Sequence, residues 1–324
     1  MDTILNLTKC IGIDVSKDRL DVADSLGDVA LQFENDLKGW AKLSRHLKKI
    51  SPSLIVFEAS GGYQDGAVRY LYKQEICAVS VVNPKNVRDF ARAQGILAKT
   101  DRLDAKVLVR FGQVMNPRVW VPKSVDVEEL DFIVKRREQL VQMQSVEKTR
   151  LASATNTGIK KSIEDLLEYL GVQIFELQKE IQRLMKKDEL KQKSELLQTM
   201  SGIGPTIASV LLTRLPELGE LDAKPLAAIV GLAPYSWDSG RLRGQRHIRG
   251  GRADVRTMLY MATISAIKNN PCIRPFYRRL TEAGKPPKVA LTACMRKMLI
   301  QLNAMLRDKK PFRILNQEIG VVNF

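Results

Sequence analysis

The chain has 324 residues, 44% hydrophobic and 27% charged, enough for two or three domains with real cores and ordinary for a soluble protein. Its 52 Lys and Arg exceed its 36 Asp and Glu, a formal net charge of +16, which points to a polyanionic partner, nucleic acid by default with an anionic membrane surface as the rival. No apolar run approaches the roughly 18 residues of a spanning helix, the first residues show no signal-peptide pattern, and four cysteines without C-x-x-C spacing read as core thiols of a reducing cytoplasm rather than a zinc site or disulfides.

Residues 9–15 read as a first strand, 19–25 as a second and 29–33 as a third after a turn at Gly27 and Asp28, an antiparallel meander. Leu37, Trp40, Leu43 and Leu47 recur at helical spacing up to Ile50. A fourth strand, 54–57, leads into Glu58 and the Gly61–Gly62 turn. A helix over 64–74 follows, with Val68, Leu71 and Tyr72 inward. Residues 78–82 form a fifth strand, ended by Asn83 and Pro84, and 85–94 a further helix. Residues 101–115 are strongly amphipathic, with Leu103, Val107, Leu108 and Phe111 on one stripe. The order β-β-β-α-β-α-β-α is that of a ribonuclease-H-like α/β domain, in which strands one and four lie side by side.

Beyond the proline-flanked exit at 117–122, residues 126–154 read as a long helix. Ile163, Leu167, Leu170, Ile174, Leu177, Ile181 and Leu184 then alternate steps of four and three. That seam predicts a coiled coil, either between two chains or within one helical hairpin. A third part starts near Leu196. Gly202, Gly204 and Pro205 read as a helix-hairpin-helix turn whose free N–H groups meet a DNA phosphate, or as an ordinary helix cap. Arg241, Arg243, Arg246, Arg249 and Arg252 alternate with glycines within twelve residues. Glycine admits a phosphate to the backbone, and arginine's planar fork bonds it bidentately. Helices are expected over 253–268, 275–280 and 289–306. The domains are therefore 1–122 catalytic α/β, 123–195 helical spacer and 196–324 mainly helical.

Four carboxylates carry the chemistry. Asp14 and Glu58 each end an apolar strand, where an unpaired charge is costly. Asp101 and Asp104, three apart, face one side of a helix turn. Each alone is an ordinary turn or cap residue. Together they would converge on divalent metal, and an oxygen-only set suits Mg²⁺ or Mn²⁺ over zinc. With only His46 and His247 in the chain, a histidine-built metal centre is hard to assemble.

The motifs around Asp14, Glu58, Pro84, Asp101 and Asp104, followed by Gly202, Gly204, Pro234, Ser239–Gly240 and the Arg/Gly run ending at 256–260, resemble the DEDD insertion-sequence-one-ten family of transposases and recombinases, relatives of the Piv DNA invertase. The resemblance covers nearly the whole chain. It implies a RuvC-like (RNase H fold) catalytic domain, a coiled coil, and a transposase domain supplying a serine nucleophile, which Ser239 matches, with Ser236 close by. It further implies Mg²⁺ held by Asp14, Glu58, Asp101 and Asp104, and DNA cutting and rejoining through a phosphoserine ester. A guide (bridge) RNA, dimers assembling to tetramers, and a cytoplasmic, nucleoid-associated setting in a bacterium also follow. The alternatives are a metal-dependent Holliday-junction-type endonuclease using water, a nucleic-acid-binding protein without catalysis, and, least, a sugar-kinase-like ATPase.

Overall fold

The computed structural model describes residues 9–24, 31–98, 100–236, 244 and 246–313, without the side chains of Asp101, Arg102 and Glu189. The chain divides into two compact units, Met1–Pro122 and Lys123–Phe324.

The first unit is built on a five-stranded sheet. Strands β1 (Cys10–Val15), β2 (Arg19–Asp24), β3 (Leu31–Glu34), β4 (Leu54–Glu58) and β5 (Ala78–Val82) lie in the order β3-β2-β1-β4-β5. β1, β2 and β3 pair antiparallel, whereas β4 runs parallel to both β1 and β5. The meander and the β1–β4 neighbourhood are as expected. The turn at Gly27 and Asp28 lies outside the described residues. Side chains alternate across a strand, and two cores result. Ile11, Ile13, Val15, Ile55 and Phe57 pack with Leu43 and Leu47 of α1 (Leu37–Ile50) and Val68 and Leu71 of α2 (Asp65–Lys73). On the opposite face, Cys10, Leu54 and Val56 pack with Val87 and Ala91 of α3 (Pro84–Ala93) and Ala105, Leu108 and Phe111 of α4 (Asp101–Met115). Tyr72 does not turn inward as expected; it is 37% exposed, its ring edge-on to Trp120 at 5.3 Å.

The second unit is mainly helical. α5 (Val125–Ser153) and α6 (Thr157–Leu184) are joined by a short turn, with Asn156 capping α6 through Ile159 N at 3.1 Å. Every residue of the heptad seam is buried or half-buried on α6, and α6 packs extensively on α5 of the same chain. α7 (Asp188–Gln198), α8 (Pro205–Arg214), α9 (Ala223–Val230), α10 (Ala253–Asn269), α11 (Ile273–Glu282) and α12 (Pro287–Asp308) complete the unit around one apolar core, with a small hairpin of β6 (Pro234–Tyr235) and β7 (His247–Ile248). The boundary expected at 195/196 falls inside α7. Residues of α5, α6 and α7 share this core with the later helices, so the spacer is not separately packed. The four cysteines, all among the described residues, form no disulfide, and Cys10 and Cys294 are fully buried; burial pushes the Cys10 and Cys77 thiols up to about 12.

Candidate active site

Two acidic strand ends are neighbours because β1 and β4 run parallel. Their register pairs Gly12 with Val56 and Ile13 with Phe57. One step further along, Asp14 and Glu58 stand on adjacent strands, whose spacing is about 4.8 Å. Forty-four residues of chain separate them, yet the sheet brings them together. Both are half-buried and both project to the α4 face: Asp14 shares it with Cys10 and Gly12, Glu58 with Leu54 and Val56.

The seat of α4 on β1 aims its first turn, which carries Asp101 and Asp104, toward the same end of the sheet. A Cβ added to Gly112 would meet Cys10 Sγ at 2.5 Å, and one added to Gly12 would meet Ala105 O at 2.2 Å and Val109 N at 2.8 Å. Moving two residues up β1 therefore moves three to seven residues down α4, as expected when strand rise is about 3.3 Å and helix rise about 1.5 Å. One further step of two reaches Asp14 on β1 and the first turn of α4, where Asp101 and Asp104 lie. Thr100 opens that turn, its hydroxyl accepting from Leu103 N at 3.3 Å. Glycine at 12 is what lets the helix backbone come so close.

A fifth carboxylate shares this face, and it was missed in the sequence. Asp21 lies directly opposite Asp14 in the antiparallel β1–β2 register and is only 4% exposed. Gln32, its partner on β3, donates Nε2–H to Asp21 Oδ1 at 2.7 Å. The available signal was alternation: Asp21 interrupts the apolar pattern of β2 at an inward position. Asp14 itself accepts from Val15 N at 2.9 Å.

No three His, Cys, Asp or Glu side chains among the described residues form a group able to hold a metal ion; the Asp101 side chain is outside that description. The donor chemistry fits a hard divalent cation all the same. Every acidic group at this sheet end is a carboxylate.

In the second unit the expected nucleic-acid residues separate. Gly202, at φ +103°, is a packing glycine: a Cβ there would strike Ala262 O of α10 at 2.8 Å. Gly204 caps α8 with open space around it. Arg246 and Arg249 are exposed beside the β6–β7 hairpin. Arg252 is instead engaged, donating to both oxygens of the buried Glu217 at 2.6 and 2.8 Å and to Arg214 O at 2.9 Å. Ser239, Arg241 and Arg243 lie outside the described residues. Ser236, at the end of β6, is exposed.

A model of the DEDD transposases of the IS110 type matches residues 11–157, and one described as Transposase IS116/IS110/IS902 family matches 194–278. The chain belongs to this transposase family and is an enzyme of DNA recombination. Among its relatives is the pilin gene-inverting protein of Moraxella bovis, 30% identical over 313 residues, covering 93% of this chain and 97% of that protein. Its namesake in Moraxella lacunata is equally similar. An insertion element IS116 protein of Streptomyces clavuligerus is 27% identical over 69% of this chain and 55% of its own length. No helix among the described residues is long and apolar enough to cross a membrane.

Proposed function

We propose that this protein cuts and rejoins DNA strands site-specifically, by transposition or by inversion, through a serine ester. Its first unit would serve as a RuvC-like (RNase H fold) catalytic domain. The observation that supports the reading is the β1–β4 register, which sets Asp14 and Glu58 on adjacent strands, with Gly12 seating α4, whose first turn carries Asp101 and Asp104. The strand order and directions support the fold assignment.

Asp14, Glu58, Asp101 and Asp104 would hold Mg²⁺ or Mn²⁺, which when bound neutralises phosphate charge and eases departure of the leaving oxygen. Ser239 is the nucleophile on the strength of the family's motif. Its Oγ bonds to phosphorus as the 3′ oxygen of the DNA leaves with a proton. The ester conserves the phosphodiester linkage, so a strand hydroxyl can later attack phosphorus and release Ser239 without ATP. Arg241, Arg243, Arg246 and Arg249 bind the phosphates and stabilise charge on the non-bridging oxygens. Gly204, with free space around it at the start of α8, offers backbone N–H groups to a phosphate. Arg252 and Gly202 act beneath this surface, as supports. The α5–α6 region serves oligomerisation as a coiled coil, dimers pairing to tetramers. The net charge of +16 supports a structured guide RNA as a second polyanionic partner.

The decisive experiment is a denaturing gel for a covalent protein–DNA adduct. The adduct is expected with the wild type and lost with Ser239→Ala. Asp14→Asn should abolish cutting with DNA binding retained. An adduct that persists in Ser239→Ala shows the nucleophile to be another residue; free DNA ends released by that variant point to a water-using endonuclease. Sequencing of copurifying RNA tests the guide.

A further inference from the structure

The β1–β4 pairing ends at Ile13 and Phe57. Beyond it, Glu58 is still paired with Val82 on β5, and the chain turns away after both acidic residues. Ser16 and Lys17 follow Asp14; Ser60–Tyr63 follow Glu58. One side chain joins the two turns. Asn35 Nδ2 donates to Ser16 O at 2.9 Å and to Tyr63 O at 3.1 Å, with Lys17 O at 3.4 Å. An amide has two N–H donors, so Ser16 and Tyr63 take one each. The backbone anchors the same residue, Asn35 N donating to Asp18 O at 3.0 Å.

The orientation of that amide is fixed from behind. Trp40 Nε1 donates to Asn35 Oδ1 at 2.9 Å, and an indole N–H can meet only the oxygen, so the nitrogen must face the carbonyls. Trp40 is itself held: a Cβ on Gly66 would come within 2.3 Å of its ring, and Tyr70 lies at 6.0 Å. The Glu58 turn is closed internally as well, Gln64 Oε1 accepting from Ser60 N at 2.9 Å and Gly62 N at 3.2 Å.

We infer that Asn35, oriented by Trp40, is a positioning residue: it ties the turn after Asp14 to the turn after Glu58 and so sets the separation of the two carboxylates where strand pairing no longer does. The inference rests on the proposed function, because it matters only if Asp14 and Glu58 share one cation. A residue that orients ligands without touching the ion acts on affinity first, and such supports are commonly worth 10–100-fold.

The test uses the full-length protein and Mn²⁺ as the probe. Free Mn²⁺ is followed by electron paramagnetic resonance in a binding titration, with half-saturating Mn²⁺ for adduct formation measured in parallel. Asn35→Ala should weaken Mn²⁺ binding about tenfold while saturating Mn²⁺ restores most of the adduct yield. Asn35→Asp keeps an acceptor for Trp40 but loses both donors, so it should bind no better than Asn35→Ala. Trp40→Phe frees the amide to flip and should weaken binding severalfold. Melting curves show whether each variant is folded; Trp40→Phe is the milder change should Asn35→Ala unfold. Binding as tight as wild type in the folded Asn35 and Trp40 variants, with Asp14→Asn abolishing it, overturns the role of Asn35 alone. A wild type that binds no Mn²⁺ overturns the proposed metal site, and this inference with it.

Discussion

Gly12→Ala is the sharpest perturbation of the first unit, because one methyl group tests the seat of α4. The new Cβ would lie 2.2 Å from Ala105 O and 2.8 Å from both Leu108 Cβ and Val109 N. Two of those three atoms are helix backbone, so no rotamer change relieves the clash. Ordinary contact lies near 3.4 Å, so α4 must retreat by roughly 1 Å at that point. Overpacking of this kind costs about 1–3 kcal/mol, offset by about 0.4–1 kcal/mol from the stiffer unfolded chain. The net loss of about 1–2 kcal/mol lowers the melting temperature of the unit by roughly 4–10 °C. Catalysis suffers more than stability. The displaced segment carries Asp101 and Asp104, and a misplacement of about 1 Å is worth on the order of 10²-fold in rate. Calorimetry reports the first effect; single-turnover adduct formation well below the melting temperature reports the second. Gly112→Ala is the comparison. Its Cβ meets the side chains Cys10 Sγ and Val56 Cγ2, at 2.5 and 2.7 Å, at the helix end remote from the carboxylates, so rate should fall less than stability. A Gly12→Ala protein that melts and reacts like the wild type would mean that α4 does not rest on β1 and does not deliver its carboxylates there.

Three further outcomes are expected. Arg252→Ala removes the guanidinium from Glu217, whose side chain is 4% exposed, and should destabilise the second unit by about 3–5 kcal/mol, whereas Arg252→Met with Glu217→Leu should recover most of it in urea denaturation. Gly171→Ala should stabilise α6 by about 0.5–1 kcal/mol in the same assay, since the added methyl meets only Gln144 Nε2, at 3.9 Å. Burial pushes the Asp131 carboxyl up, but the Lys123 hydrogen bond and the charges of Lys123 and Lys135 outweigh it and leave it below its ordinary value. Its stabilisation is therefore complete above the unfolded carboxylate pKa of about 3.9 and fades as pH falls through the lower folded value; urea midpoints below pH 4 should fall less steeply for Asp131→Asn than for wild type.

Much of the first unit was legible because its signals are local. Apolar runs ended by a single acid marked β1 and β4, and helical spacing marked α1 and α4 to within a residue. The likeness of the β-β-β-α-β order to a known layout gave the β1–β4 neighbourhood. Tyr72 went wrong because helical spacing locates a face but not its edge, and at the edge an aromatic ring can pack on Trp120 with its rim in solvent. Asp21 and Asn35 were illegible for a different reason. Asp21 matters only through cross-strand register with Asp14, and Asn35 only through where two distant turns meet. The hairpin β6–β7, two residues to a strand, is too short to show a period.

The arginine run shows that spacing alone does not tell an engaged cation from an exposed one. Its spacing suggested one phosphate-binding stretch, yet its described members divide by what lies behind them. Arg252 is drawn inward by Glu217, a carboxylate too buried to stand without a cation, and Arg252 N also donates to Ile229 O at 2.9 Å. Four residues on, Arg256 donates to Val230 O at 3.1 Å and Gly250 O at 2.6 Å. Beside it Gly231 and Gly251 pack backbone to backbone, a Cβ on Gly251 coming within 2.2 Å of Gly231 N. Both glycines have positive φ, so a side chain at either is excluded by conformation as well as by space. Two arginines and two glycines thus close the base from which the chain leaves at 231 and returns at 251. Arg246 and Arg249 remain exposed above that base. Under the proposed function, a closed base would hold Arg246 and Arg249 in place for a phosphate and so lower the entropic cost of recognition.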